Sequence, residues 1–140
     1  MSDVEVLQVS WQEMEPHLRA IRTIVFIEEQ NVPIELEWDE EDADCVHLLV
    51  KKDNNYIATA RLLKTGQIGR MAVLKPFRRC GVGSVMLNTI LAIARAMEMK
   101  TVSLNAQVDA ISFYKKFDFL KYGEPFDDAG IPHVRMEKAL

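Results

Sequence analysis

The chain has 140 residues, of which 49% are hydrophobic and 27% are charged, with a formal net charge of −4 at pH 7. This length fits one folded unit with a single hydrophobic core, so we expect residues 1–140 to form a single domain. The acidic balance argues against a nucleic-acid partner. No apolar run approaches the length of roughly 20 residues that a membrane span needs.

The cysteines and the N-terminal segment bear on the cellular compartment. Cys45 and Cys80 do not form a CxxC pair, and free thiols are the rule in a reducing cytoplasm. Residues 1–5 are acidic and lack the basic and apolar regions of a signal peptide. We therefore expect a cytoplasmic protein. Because the three histidines form no metal-spaced cluster with cysteine, we expect no metal.

Hydrophobic periodicity and turn residues predict an alternation of strands and helices. In chain order, the predicted elements are a strand at Val4–Val9, a helix from Pro16 to Glu29, an irregular segment at 31–44, strands at Val46–Lys52, Tyr56–Leu63 and Gly66–Val73, a long helix at Ser84–Met97, a strand at Thr101–Leu104, a helix at Ala110–Phe117 capped by Asp109, and strands at Phe119–Tyr122 and His133–Glu137 separated by a loop at 123–132. This order predicts an α+β fold, in which helices pack on a mixed sheet with one βαβ crossover through the long helix.

The most informative segment joins a strand to the long helix and reads Arg78-Arg79-Cys80-Gly81-Val82-Gly83-Ser84. Unpaired N–H groups at a helix start bind anions, and glycine lets a ligand approach the backbone closely. Two arginines at the positive end of a helix dipole make most sense if a phosphate lies between them and the helix. The segment lacks the Gly-Lys-Ser/Thr ending of a P-loop. It therefore favours a bound diphosphate without hydrolysis, with a solvated turn as the alternative.

A second motif downstream is Ala110-x-x-Phe113-Tyr114-x-Lys116. Together the two motifs resemble the Gcn5-related N-acetyltransferase (GNAT) family, and order and spacing agree over about residues 46–122. Three further segments look like the bacterial subgroup typified by ElaA and YjcF, namely Arg22-x-x-Val25-Phe26-Ile27-x-Glu29-Gln30, Gly69-Arg70-Met71-Ala72-Val73 and Leu104-Asn105-Ala106-Gln107. The resemblance implies one acyl-CoA N-acyltransferase domain, with a mostly antiparallel sheet, a splay between two central parallel strands and helices on both faces.

The resemblance also implies where the co-substrate, acetyl-CoA, binds. The pantetheine arm lies between the splayed strands that end near Val73 and Leu104, and the pyrophosphate is held by backbone N–H groups at the start of the long helix. The residues implied in cofactor binding are Met71, Ala72, Val73, Arg78, Arg79, Cys80, Gly81, Val82, Gly83, Ser84, Asn105, Gln107, Phe113 and Tyr114. Two positions depart from the family pattern, because a usual asparagine is Gln107 and a usual glycine is Asp118.

Acetyl transfer from a thioester to an amine requires a neutral amine, a donor to the tetrahedral oxyanion and a proton for the leaving thiolate. By resemblance, the N–H of Val73 donates to the oxyanion and Tyr114 donates to the sulfur, by direct attack in a ternary complex. The general base is open, because the glutamate that many family members carry on the third meander strand is Gln67 here. Glu29 and His133 rank first. The other candidates are Glu28, Glu37, Asp39 and His47.

An acidic segment follows the first helix, with nine acidic side chains within residues 28–44. In the family this region borders the acceptor site. We hypothesise that part of it, including Glu35, Glu37 and Asp39, attracts a cationic amine. The alternative is an ordinary solvated acidic loop.

Two other functions stay open at this point. An acyl-homoserine-lactone synthase has a related fold and a similar Arg-x-x-Val-Phe element, although 140 residues is short for one. A non-catalytic acyl-CoA-binding sensor is favoured by the missing carboxylate at Gln67. Replacing Tyr114 by Phe lowers turnover in an enzyme and changes little in a sensor. The amine acceptor is also open, with a small molecule, a peptide terminus and a lysine as alternatives. The oligomeric state is open as well, with a homodimer as one alternative.

Overall fold

The computed structural model describes residues 4–140 and is built around a sheet of seven strands. The strands are β1 Val4–Val9, β2 Val46–Lys52, β3 Asn55–Leu62, β4 Gln67–Val73, β5 Thr101–Gln107, β6 Leu120–Asp128 and β7 Ile131–Ala139. The helices are α1 Trp11–Arg22, its π-helical continuation Thr23–Glu29, α2 Ile34–Glu37, α3 Val82–Ala96 and α4 Ile111–Lys115, with 3-10 turns at Glu40–Asp44, Lys75–Phe77 and Val108–Ala110. None of the helices described is both long and apolar enough to cross a bilayer.

The sheet has the order β1-β2-β3-β4-β5-β7-β6, and all neighbours are antiparallel except β4 and β5. These two strands pair only at Gln67–Ser103 and Ile68–Leu104, and beyond these positions they separate. The gap widens toward their carboxyl ends at Val73 and Gln107. The predicted mixed sheet with a splay between two parallel strands is therefore confirmed.

Two hydrophobic clusters hold helices against opposite faces of the sheet. On one face, α3 buries Met86 and Leu87 in a cluster that includes Leu48 of β2. On the other face, α1 buries Leu18 in a cluster that includes Leu49. Since successive residues of a strand point to opposite faces, Leu48 and Leu49 belong to different clusters. The expected placement of helices on both faces is confirmed.

The first helix begins at Trp11 and not at Pro16. Ser10 and Glu13 form a capping box, in which the Ser10 hydroxyl accepts the Glu13 N–H at 3.1 Å and the Glu13 carboxylate accepts the Ser10 N–H at 3.3 Å. Pro16 is accommodated by a kink, since Met14 has φ −124° and ψ 18°. The capping box thus determines the helix start, and the start predicted at Pro16 is wrong.

The end of the chain also differs from the prediction, because 123–132 is a hairpin and not a loop. The strands β6 and β7 extend through it to a two-residue turn at Ala129 and Gly130, with φ of 53° and 79°. The predicted Asp109 cap is wrong, since Asp109 lies in a 3-10 turn and Ala110 precedes α4 without a side-chain cap. The strand predicted to end at Leu104 continues to Gln107. These extensions bring the hairpin tip and the end of β5 to the mouth of the splay.

Candidate active site

The gap between β4 and β5 opens into a cavity of about 410 Å³. Its walls come from the end of the π-helix, α2, the two splayed strands, α4 and the β6–β7 hairpin. Of the residues predicted to bind acetyl-CoA or to act in catalysis, those that line the cavity are Met71, Asn105, Gln107, Tyr114, His133 and the base candidate Glu37, together with Gln67. A cavity of this volume suits a small ligand with a few convergent polar groups.

Tyr114 projects from α4 toward the β4 side of this cavity. Its hydroxyl lies 3.6 Å from Sδ of Met71, and a thioether is only a weak acceptor. Phe113 and Phe119 pack edge-on against the ring. Burial raises the pKa of Tyr114 to about 12, so the phenol keeps its proton and remains a hydrogen-bond donor at neutral pH.

Val73 ends β4 with its backbone turned toward the gap. The next residue, Leu74, donates its N–H to the carbonyl of Ile57 at 2.9 Å. Because successive N–H groups along a strand point to opposite sides, the N–H of Val73 points away from β3 and into the opening beside β5. The Val73 carbonyl accepts Nε of Arg78 at 2.8 Å, which holds this strand end in place.

The glycine-rich segment forms the turn into α3, which begins at Val82, two residues earlier than predicted. Arg79 and Gly81 have φ of 63° and 85°, and no side chain caps the helix. The first N–H groups of a helix have no intrahelical partner. Gly83 faces α4, since a Cβ built there would lie 3.4 Å from the Phe113 ring. The segment therefore offers an uncapped helix N-terminus beside the exposed Arg79 and Cys80.

The guanidinium of Arg78 is paired with an acid and is not left open toward a phosphate. Its Nη1 and Nη2 donate to the two carboxylate oxygens of Glu29 at 2.7 Å each. The hydrogen bond from Arg78, together with its charge, lowers the pKa of Glu29. Glu29 thus acts on the end of β4 through Arg78, and it is not one of the residues that line the cavity.

Gln30, which follows Glu29, contacts the β5 side of the splay. Gln30 accepts a hydrogen bond from Nε2 of Gln107, the last residue of β5, at 2.9 Å. Glu29 and Gln30 therefore connect the end of the π-helix to both strand ends, one through Arg78 and one through Gln107.

His133 lies on β7 with 9% of its surface exposed and lines the cavity. Its Nδ1 is 2.7 Å from the carbonyl of Ile131. A carbonyl only accepts hydrogen bonds, so Nδ1 carries the proton and the Nε2 lone pair is free. Nε2 has no partner among residues 4–140, and Arg61 Nε is the only side-chain polar atom there that is both unpaired and fully buried. The Nε2 lone pair is therefore unpaired and not fully buried, on a residue that lines the cavity.

Part of the acidic segment is turned inward against arginines, since Glu37 and Asp42 are buried while its other acidic residues are exposed. Arg22 donates to Glu37 at 2.7 Å and to Asp42 at 2.8 Å, and these three side chains are only 1–3% exposed. Arg61 donates to Asp39 and Asp42 at 2.8 Å each. Because arginines neutralise these carboxylates, the pairing argues against the hypothesis that Glu37 and Asp39 attract a cationic amine.

A group of potential metal ligands lies outside the cavity. Asp42, Cys45 and His47 come within 4.8 Å of one another, a grouping that the sequence analysis did not identify. The Asp42 carboxylate already accepts from two arginines, and Nε2 of His47 lies 2.8 Å from the Asp42 carbonyl and so carries a proton. Burial raises the pKa of the Cys45 thiol to about 11. Metal ligation here needs a thiolate and a lone pair on the imidazole nitrogen that faces Cys45 and Asp42, which is the protonated Nε2, so these groups do not fit a metal.

Comparison of the chain with protein-family models identifies its family. The family model described as an acetyltransferase (GNAT) domain matches residues 19–140. The chain belongs to the GNAT family. GNAT proteins are acyl-CoA-dependent acetyltransferases, so the protein is an enzyme of this class.

Individual GNAT relatives place the chain more closely. It is 36% identical over 122 residues to the uncharacterized N-acetyltransferase YjcF of Bacillus subtilis, which covers 84% of this chain and 87% of that one. It is 33% identical over 131 residues to ElaA of Escherichia coli, covering 88% and 86%. The crystal structure of Escherichia coli ElaA matches with a TM-score of 0.84 at 30% identity, over 96% and 99% of the two chains. The resemblance to the ElaA and YjcF subgroup is therefore confirmed.

Proposed function

We propose that this GNAT enzyme transfers the acetyl group of acetyl-CoA to a primary amine by direct attack in a ternary complex. The observation that carries the proposal is that the half-buried Tyr114 and the buried His133 line one cavity in the gap between β4 and β5, and that the N–H of Val73, at the end of β4, points into the same gap. These groups supply the acid, the base and the oxyanion donor that acetyl transfer needs.

Acetyl-CoA binds along the splay in this proposal. Met71, Ala72 and Val73 of β4 border the pantetheine arm on one side, and Asn105 and Gln107 of β5 border it on the other. The pyrophosphate lies at the uncapped start of α3, where Arg79 adds positive charge and backbone N–H groups point outward. Phe113 supports this turn through its contact with Gly83.

Of the two leading bases, we assign the role to His133. His133 lines the cavity and its Nε2 is unpaired. The Glu29 carboxylate is hydrogen-bonded twice to Arg78, which lowers the pKa of Glu29 and makes it a weaker base. We assign Glu29 a positioning role, because it orients Arg78, which in turn holds the Val73 carbonyl.

The proton transfers then follow from these positions. The amine nitrogen attacks the thioester carbon and gives its proton to Nε2 of His133, while the N–H of Val73 donates to the oxyanion. The C–S bond breaks as Tyr114 gives its proton to the leaving sulfur. The proton on His133 returns to solvent, and the phenolate is reprotonated for the next turnover.

Calorimetric titration with acetyl-CoA, run beside a thiol-release assay over a panel of amines, tests the proposal. We expect binding together with thiol release for at least one amine. Gly81→Ala is expected to weaken acetyl-CoA binding by about tenfold or more, because residue 81 has φ 85° and a ligand approaches there. Gly123→Ala is the matched control, since φ is 83° in β6, away from the splay. Absence of binding by a folded sample would overturn the proposal.

A further inference from the structure

Arg70 occupies an irregular position of β4 beside the cavity. The pairing of Gly69 with Arg61 and of Ala72 with Thr59 leaves Arg70 and Met71 opposite a single residue of β3. Arg70 has φ 49°, in the left-handed region that non-glycine residues rarely adopt. Such a bulge turns a side chain out of the normal alternation of the strand, and the Arg70 side chain lines the cavity.

Three arginines share three acids next to this wall, and Arg70 has the weakest contacts. The ion pairs that Arg22 and Arg61 make with the acids measure 2.7–2.8 Å. The ion pairs of Arg70 with Glu37 and Asp39 measure 3.2 and 3.3 Å. Burial, followed by the neighbouring positive charge of Arg61, lowers the pKa of Arg70. The acids therefore balance the charge of Arg70 less completely than that of the other two arginines.

Arg70 also has an unused donor. Its Nε and Nη2 bond to groups of α2 and to Asp39, but Nη1 has no partner among residues 4–140. Nη1 is not fully buried, because the only fully buried unpaired side-chain atom in that range is Nε of Arg61. Within the described residues, Arg70 is the one lysine or arginine that lines the cavity. An anion in the cavity would meet this donor and this charge.

We propose that the acceptor is a small amine bearing a carboxylate, of the amino-acid type, and that Arg70 binds that carboxylate. This assignment rests on the proposed acetyltransferase function and names its substrate class. A guanidinium matches the planar geometry of a carboxylate and bonds it strongly. A ligand with a single negative charge is enough to neutralise Arg70, since Glu37 and Asp39 already balance part of the positive charge of Arg70. A phosphate dianion would meet repulsion from Glu37 and from Asp128, which also line the cavity.

The test compares each proteinogenic amino acid with its decarboxylated amine in the thiol-release assay. We expect at least one amino acid to show a kcat/KM about tenfold or more above that of its decarboxylated amine, as is typical for loss of a charged hydrogen bond. Arg70→Gln should raise the KM for that amino acid by about tenfold and make the kcat/KM values of the two acceptors nearly equal. The KM of Arg70→Lys should lie between those of wild type and Arg70→Gln. Arg135→Gln is the matched control, because the exposed pair of Arg135 with Glu137 lies outside the cavity wall.

The outcomes separate this assignment from the function beneath it. Acetyl-CoA affinity and the thermal midpoint of each variant report folding, and Arg70→Lys decides the matter where Arg70→Gln is unstable. Equal rates with and without the carboxylate, or an equal loss on both acceptors in Arg70→Gln, would overturn the role of Arg70 and leave the acetyltransferase intact. If acetyl-CoA binds but no amine releases thiol, the proposed function fails. Calorimetric titration with the amino acids then tests whether Arg70 binds a carboxylate. This role is overturned if no amino acid binds to the wild type, or if the amino acid binds equally well to Arg70→Gln.

Discussion

Tyr114 is the residue whose protonation at high pH the structure constrains most directly. Burial raises its pKa to about 12, so the acid form persists to higher pH than in free tyrosine, whose pKa is about 10. We expect the kcat profile to show no loss through about pH 10, because the proton donor is still present there. Tyr114→Phe should lower kcat by about 100-fold while the Kd for acetyl-CoA stays the same.

The control for this prediction is Tyr122→Phe, because the Tyr122 side chain is exposed on β6. Rates are measured at saturating substrate across the pH range, with acetyl-CoA binding followed separately. An alkaline loss centred near pH 10, or an unchanged kcat in Tyr114→Phe, would contradict the acid role.

His133 is predicted to accept the proton of the attacking amine through Nε2. His133→Gln removes this acceptor and should lower kcat/KM by about 100-fold while the Kd for acetyl-CoA stays the same. His17→Gln is the matched control, since His17 packs against the ring of Tyr56 and does not line the cavity. An unchanged kcat/KM in His133→Gln would assign the base to another group.

At the scale of secondary-structure elements, the capping box of α1 is expected to contribute measurably to stability. Ser10→Ala removes the acceptor for the Glu13 N–H and should lower the free energy of unfolding by about 1 kcal/mol. Ser112→Ala, at an exposed position within α4, should change it by less than about 0.5 kcal/mol. Urea denaturation of the three proteins measures both values. Equal stabilities would show that the box adds nothing to the tertiary packing of α1.

The elements that were predictable are those whose local signals agree. The Asp53-Asn54 turn, with φ of 50° and 68°, and Asp118, with φ of 68°, follow the preference of Asp and Asn for left-handed backbone. Where signals conflict, the prediction was wrong. Gly123 and Pro125 suggest a loop, but a register shift between Tyr122 and Phe126 absorbs them inside β6. Local composition does not reveal such a shift, because it depends on the partner strand.

The candidate-site residues that the sequence predicts come from contiguous motifs or from the family resemblance. The α3 turn and Tyr114 come from contiguous motifs, and His133 comes from the resemblance; Tyr114 and His133 both line the cavity. The partners of the arginines could not be found in that way. Arg78 reaches Glu29 across 49 positions, and Arg22 reaches Glu37 across 15. Such pairs are set by sheet register and loop path, which a single sequence does not specify.

At the scale of the whole molecule, the arginine–acid network joins α1, the acidic segment, β3 and β4. Arg22 on α1 and Arg61 on β3 both bond to Asp42, and Arg70 on β4 contacts Glu37. The network therefore fixes the α2 wall of the cavity to the sheet. Buried charges are tolerated only while each is paired, so a loss at Asp42 is expected to affect the entire fold.

Asp42→Asn should lower the free energy of unfolding at pH 7 by about 3–5 kcal/mol, because it leaves two buried guanidinium groups short of one carboxylate. Burial alone would raise the pKa of Asp42, but the hydrogen bonds and charges of Arg22 and Arg61 outweigh it and hold that pKa below its usual value of 3.8. A carboxyl with a lowered folded pKa contributes stability that is present above about pH 4 and is lost as the pH falls through the folded pKa.

The difference between wild type and Asp42→Asn should therefore be largest near neutral pH and shrink below about pH 4. Glu15→Gln, which breaks the exposed pair with Arg19, should cost less than about 1 kcal/mol at any pH. Urea unfolding of all three proteins at a series of pH values gives the comparison. A difference independent of pH would mean that the Asp42 side chain acts through packing alone, since only an ionised carboxylate makes its contribution depend on protons.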